Sequence, residues 1–290
     1  MAKRGTRGGA GPARCILLVV AYDGTDFKGW QRLPGAARTV QEELERALEA
    51  VTGQASRVAG AGRTDAGVHA DGQAASLWTD CALPLAELGR ALNGVLPADM
   101  ACAGLREARP GFHARYRAVD KTYAYRLLDG SGGRSERRWS FKVPKPLDDR
   151  AMIRAAAAFE GPHRFRAFTN AKSDALDFRR TLAHARVERA GPAVDLRFTA
   201  DGFLYNQARL MAASVLAAGQ GRMNEDGIRR ALDSGDRAQV PGALGAFGLR
   251  LVSVGFREDD FLGPLLVPDG AGGLPPYARP LPERSGGPRP

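Results

Sequence analysis

The sequence predicts an α+β fold, and three observations carry that prediction. Short apolar or alternating runs of strand type recur from residue 15 to residue 256. Helical patterns fall between them without the regular strand–helix alternation of a doubly wound parallel sheet. Several neighbouring strands are separated by hairpin-length connections. Cys15–Ala21 is rich in Leu and Val and closes on Tyr22-Asp23-Gly24, so it reads as a buried strand followed by a turn. The clearest helix covers 39–51. Thr39 is its N-cap, Glu42 completes a capping box, and Val40, Leu44, Ala47, Leu48 and Val51 share one face before Gly53 ends it. Strands follow at Arg57–Ala61 and Gln73–Trp78, a helix at Leu85–Gly94 and a strand at Thr122–Leu128. The second half reads as a helix at 148–159, strands at 181–190 and 193–199, helices at 203–218 and 225–233, and a last strand at Leu249–Phe256.

Composition shifts divide the chain. Residues 1–14 form a basic tail, with Lys3, Arg4, Arg7 and Arg14 and no acid. An α+β subdomain over 15–128 is separated by a Gly/Ser-rich hinge over 129–147 from a second α+β subdomain over 148–258. A Pro/Gly-rich tail covers 259–290. With 44% hydrophobic and 26% charged residues, the 290-residue chain can bury a sizeable core. No apolar run approaches the roughly 18 residues of a membrane helix, so a cytoplasmic protein without membrane contact is expected. Cys15, Cys81 and Cys102 are scattered, as are the four histidines, so neither a disulfide framework nor a metal site is expected. The net charge of +10 fits a nucleic-acid partner, because Lys and Arg displace counterions from phosphates.

Residues 59–70, Ala-Gly-Ala-Gly-Arg-Thr-Asp-Ala-Gly-Val-His-Ala, carry the strongest chemical signal. Asp65 has Gly60 and Gly62 before it and Gly67 after it, a setting in which a substrate can approach the backbone closely. Arg63 can favour the ionised carboxylate by pairing with Asp65, or bind a phosphate. Gly60-Ala61-Gly62 does not begin a dinucleotide-binding loop. The third glycine of that pattern is Asp65, whose charge would repel a pyrophosphate. Arg209 lies in an otherwise apolar helix and needs an acidic partner there; Asp65 is one candidate and a purely structural ion pair is the alternative.

Six collinear motifs then point to one family. They are Tyr22-Asp23-Gly24-Thr25-Asp26-Phe27-Lys28-Gly29-Trp30-Gln31, Thr39-Val40-Gln41-Glu42-Glu43-Leu44, Gly62 to Ala70, Asn93-Gly94-Val95-Leu96-Pro97, Phe112-His113-Ala114-Arg115 and Lys121-Thr122-Tyr123-Ala124-Tyr125. Weaker matches continue through Phe203-Leu204-Tyr205-Asn206 with Arg209 to Gly248-Leu249-Arg250-Leu251. Over residues 15–256 the chain resembles bacterial tRNA pseudouridine synthases of the TruA type. The resemblance implies a pseudouridine synthase fold, with two α+β subdomains and mixed or antiparallel sheets flanking a central basic cleft. It implies isomerisation of uridine to pseudouridine at positions 38, 39 and 40 in the anticodon arm of tRNA, without metal or organic cofactor, by a homodimer.

On the same resemblance Asp65 is the catalytic carboxylate, attacking the sugar or acting through a glycal. Tyr123 stacks on the flipped-out base, Arg63 holds a neighbouring phosphate, and Arg209 and His69 join the substrate-binding set. His69 is placed either against the RNA or as a residue that orients the loop. Lys121, Arg115, Arg117 and Arg126 line a basic surface nearby. The alternative function is a tRNA-binding or tRNA-folding module that has kept the fold without turnover. The chain departs from the family pattern at Gln207 and Ala208, usually Met and Val, at Ala213, usually Gly, and at Arg164, commonly acidic. Phe256 replaces a frequent Tyr. These departures, none of them expected to touch the Asp65 loop, predict a second half that packs differently or selects different uridines.

Overall fold

The alternation along the first strand sets the two faces of the sheet. In β1 (Arg14–Tyr22), Ile16, Leu18, Val20 and Tyr22 enter the main core, while Cys15 and Leu17 enter a smaller cluster on the reverse face. The computed structural model describes residues 14–35, 37–130, 138–170 and 176–268. The tail over 1–13, residues 131–137 of the expected hinge and residues 269–290 of the C-terminal tail lie outside the described residues. The elements that follow β1 are α1 (Val40–Thr52), β2 (Val58–Gly60), β3 (His69–Thr79), α2 (Leu85–Val95), β4 (Met100–Ala108), α3 (Ala114–Arg117) and β5 (Asp120–Asp129). Then come β6 (Phe141–Val143), α4 (Asp149–Ala157), β7 (Gly161–Arg164), β8 (Arg179–Ala190), β9 (Ala193–Ala200), α5 (Gln207–Gly219), α6 (Glu225–Ser234) and β10 (Leu249–Gly255). The architecture is the α+β one expected.

One sheet runs β4-β1-β3-β10-β5-β9-β8-β7, with β2 added to β3 and β6 to β5. Neighbours pair antiparallel except β10 on β3 and β6 on β5. The last strand therefore sits in the middle of the sheet, and the division expected at 129–147 does not interrupt it. Arg14 already belongs to β1, opposite Thr79, and not to the tail. At the other end, bridges from Ala108 to Phe261 and from Leu105 to Leu266 dock the first residues of the expected C-terminal tail along β4. Strand β4 itself has no counterpart in the sequence reading: Ala101, Ala103 and Gly104 dilute its β-propensity, and a register shift on β1 breaks its alternation.

The helices obey their caps. The Thr39 hydroxyl accepts from the Glu42 N–H, and Gly53 closes α1 at φ 69°. Helix α5 is buried almost all round, and it starts at Gln207 rather than 203 because Asn206 adopts a left-handed φ of 61°.

On the reverse face of β3, β10, β5 and β9 a buried charge network ties the sheet together. Arg250 lies 3.1 Å from Asp71 and 2.7 Å from Asp195, and Arg126 holds Asp195 through two hydrogen bonds. Burial alone would raise the Asp195 carboxyl, but the two guanidiniums hold it down at about 2. Burial pushes Asp71 up despite Arg250.

The segment Tyr22–Gln31 forms the floor under residues 59–70. A Cβ on Gly24 would lie 2.0 Å from the Val68 carbonyl oxygen, and one on Gly60 would lie 2.5 Å from the Trp30 ring. The backbones are thus packed at a distance only glycine permits. Two stability predictions follow from these contacts. Gly24→Ala should cost about 1–3 kcal/mol by overpacking, read from urea unfolding midpoints. Arg250→Met, which strands Asp71 and leaves Asp195 with one partner, should cost about 3–5 kcal/mol in the same assay.

Candidate active site

Four hydrogen bonds hold the loop that carries Asp65. The Gly62 carbonyl accepts from Gln73 Nε2 at 2.9 Å, and the Thr64 carbonyl accepts from the Trp30 N–H at 3.0 Å. The Thr64 hydroxyl meets the buried Tyr22 hydroxyl at 2.8 Å. The Asp65 carbonyl accepts from the Val68 N–H at 3.1 Å, closing a turn in which Gly67 takes φ 78°. Asp65 is thereby presented, half-buried, to a cleft of about 850 Å³. The loop forms one wall of this cleft, and the other is built by Lys121 and Tyr123 of β5 with the segment Phe203–Arg209.

Three of the expected site residues come together here. Arg209 Nη1 stands 3.7 Å from Asp65 Oδ2. Its Nε donates to the Leu244 carbonyl at 2.6 Å and its Nη1 to Asn206 Oδ1 at 2.9 Å. Burial raises the Asp65 carboxyl above the ordinary carboxylate value, and the Arg209 charge opposes that rise. Tyr123 is nearly buried and packs edge-on against Phe203, ring centres 5.0 Å apart. Burial, with the Tyr22 and Asp65 charges, raises its phenol far above the usual range, so its hydroxyl keeps the proton.

Arg63 is exposed on the cleft wall, and among the described residues no ion pair joins it to Asp65. The expected Arg63–Asp65 pairing is replaced by Arg209–Asp65, because Arg63 points to solvent while Arg209 enters from α5. Lys121 also lines the cleft, with its Nζ against Gly62. Burial and the charges of Arg115 and Arg180 push its ammonium down.

His69 is not part of the cleft. It is the first residue of β3 and is 2% exposed. Its Nε2 lies 3.1 Å from the Phe247 carbonyl, and its Nδ1 lies 3.1 Å from both the Gly24 N–H and Asp23 Oδ1. It is therefore not placed to bind a substrate directly. It ties the start of β3 to the floor and to the segment before β10, which is the loop-orienting role that the sequence left open. Asp23 is the matching hub. Burial would raise its carboxyl, but hydrogen bonds from His69 and Thr25 hold it well below the usual range.

Two members of the expected basic surface are committed elsewhere: Arg126 to Asp195 on the reverse face, and Arg117 to Asp260 at 3.6 Å. Arg115 does line the cleft, beside His113 and Tyr116. Gln207 and Ala208 also line the cleft that holds the Asp65 loop, whereas no contact with that loop was expected of them. Asn206 and Phe203 were visible only as parts of a motif. Their one signal was an asparagine before an apolar helix, a residue type that tolerates left-handed backbone. Among the described residues no group of three or more His, Cys, Asp or Glu is placed to hold a metal ion, and no helix is long and apolar enough to cross a membrane.

A family model described as tRNA pseudouridine synthase matches residues 18–117 and 155–257. The tRNA pseudouridine synthase A of Moorella thermoacetica is 40% identical over 242 residues, 83% of this chain and 98% of the relative. That of a Geobacillus species is 40% identical over 77% of this chain and 90% of the relative. The protein of the same name from Acetivibrio thermocellus is 36% identical over 83% and 99%. The family model matches most of the chain and these relatives are matched over nearly their whole length, so the chain belongs to the tRNA pseudouridine synthase family.

Proposed function

We propose that this protein isomerises uridine to pseudouridine in the anticodon arm of tRNA, at positions 38, 39 and 40, with Asp65 as the catalytic carboxylate. The observation that carries this reading is the meeting of Asp65, Arg209 and Tyr123 in one cleft of a chain that belongs to this family. The reaction breaks the bond from the sugar carbon to uracil N1 and forms one to C5. The C5 proton leaves to water and N1 ends protonated. An ionised Asp65 serves whether it attacks the sugar carbon or takes a sugar proton. A target uridine must leave the helical stack to reach it.

Tyr123 offers the face of its ring to the extruded base, with its phenol neutral. Arg63, Lys121 and Arg115 supply positive charge for the backbone phosphates around the flipped nucleotide. Two subunits acting together, with one tRNA across both, complete the proposal, as does a cytoplasmic setting.

The test is release of tritium from tRNA labelled at uridine C5. Wild type should release it. Asp65→Ala should release none while binding tRNA with unchanged affinity in a filter assay. Unchanged release by Asp65→Ala overturns the role of Asp65. A folded wild type that binds tRNA without release supports the non-catalytic module instead.

A second prediction concerns pH. Arg209 lowers a carboxyl that burial raises, and only the ionised form acts, so activity falls as pH drops through that carboxyl's titration. Arg209→Met should therefore move the acid limb of kcat/KM to higher pH, with a greater loss at pH 6 than at pH 8.

A further inference from the structure

Among the described residues Asn206 is the one non-glycine with positive φ, and it lies on the wall of the cleft facing Asp65. Such a conformation away from glycine is uncommon and persists where the surroundings impose it. Here Gln207 imposes it. The Gln207 side-chain oxygen accepts from the Leu204 N–H at 2.8 Å, and the Gln207 N–H donates to the Leu204 carbonyl at 3.1 Å. This ring closes residues 204–207 at the foot of α5, and Gln207 is fully buried in making it.

Asn206 precedes α5 in the N-cap position, yet its side chain caps nothing in the helix. Its Oδ1 instead accepts from Arg209 Nη1 at 2.9 Å, while the Leu244 carbonyl takes Nε at 2.6 Å. Both acceptors are neutral. They fix the guanidinium with Nη1 3.7 Å from Asp65 Oδ2, which is ion-pair distance but beyond a hydrogen bond. Among the described residues no hydrogen bond reaches the Asp65 carboxylate, and Arg209 acts on it by charge alone.

We infer that Asn206, set by the Gln207 turn, is a positioning residue that holds the Arg209 guanidinium off Asp65, so that the carboxylate is stabilised by charge while its lone pairs stay free to react. A contact pair would keep the carboxylate ionised but tie up the oxygens that must attack the sugar or take its proton. Gln207 bonds Leu204 through both its backbone N–H and its side-chain oxygen, which fastens the turn that carries Asn206. The inference rests on the proposed function for its chemical meaning, but the geometry itself can be tested without turnover.

The other charged or titratable groups around Asp65 are Tyr123 and Lys121 from β5, Arg115 and Tyr116 from α3 with His113 before it, Arg63 from its own loop, Tyr205 from the opposite wall, and Tyr22 from β1 behind Thr64. None of them is altered in the test. Asn206→Gly keeps the left-handed backbone and removes the acceptor. Nη1 is then released to close on Asp65. Asn206→Asp keeps an acceptor on Nη1 but adds a charge that competes for the guanidinium. The Asp65 carboxyl is titrated directly by carbon-13 NMR of aspartate-labelled protein without RNA, with Asp65→Asn to identify its signal.

The expected result is opposite movement. The Asp65 titration should move down by about one pH unit in Asn206→Gly and up by a similar amount in Asn206→Asp. Tritium release by Asn206→Gly should fall about tenfold on the pH plateau with KM unchanged. A titration that stays in place, or moves the same way in both variants, overturns the inference. So does an unchanged plateau rate in Asn206→Gly from an active wild type. If the titrations move in opposite directions while wild type releases no tritium, the positioning stands and the proposed reaction falls.

Discussion

The contact between β3 and β10 is only two residues long, yet the walls of the cleft meet through it. Leu251 pairs with Ala70 on one side and with Tyr123 on the other. That triple register places the strand that follows the Asp65 loop two strand spacings from the strand that carries Tyr123, roughly 10 Å across the sheet. The approach is close: a Cβ on Gly72 would lie 2.7 Å from the Val252 carbonyl oxygen. Arg250, one residue before Leu251, then ties β10 from behind to Asp71 of β3 and to Asp195 of β9, which Arg126 of β5 also holds. His69, opposite Arg250 in the register, fastens the first residue of β3 to Asp23 and Phe247.

The two faces of this region treat charge in opposite ways. Behind the sheet, Arg126 and Arg250 surround a fully buried Asp195 and bond its carboxylate. Such an arrangement is costly to break, and both Asp195 oxygens are taken up by guanidinium hydrogen bonds. In front, Asp65 is only partly withdrawn from water and has a single counter-charge at a distance. Lys121 shares the cleft and, among the described residues, has no carboxylate within ion-pair reach. A polyanion entering the cleft meets cations whose charge is not already neutralised.

Much of this was legible from residue order, and what was not has physical reasons. The capping box at Thr39 and Glu42 and the terminating Gly53 place α1 almost to the residue, because caps are local chemistry. The cost of burying Arg209 in an apolar helix pointed to Asp65 as its partner, and the two stand at ion-pair distance. His69 left two readings open, RNA contact or loop orientation, because a histidine four residues after Asp65 looks like part of the loop. Nothing local reveals that β3 begins there, since its neighbours in β10 come from the far end of the chain. Strand β4 was missed because small residues fill it, and its hold on the sheet comes from β1. The left-handed Asn206 is invisible to periodicity, because the apolar pattern of α5 runs back through Phe203 and Leu204 without a break.

The central position of β10 also has a consequence for how the chain reaches this state. Asp65, Tyr123 and Arg209 are all synthesised before residue 249, yet the strands that flank them remain unpaired along one edge each until β10 arrives. A nascent chain ending short of β10 therefore exposes two sheet edges, the condition that invites non-native strand pairing and aggregation. It also lacks the register that brings the acid and the tyrosine together. Assembly of the cleft is thus coupled to completion of the fold. The late, long-range closure makes folding slower than the short hairpins around it would suggest. Partly made chains cannot present a finished cleft.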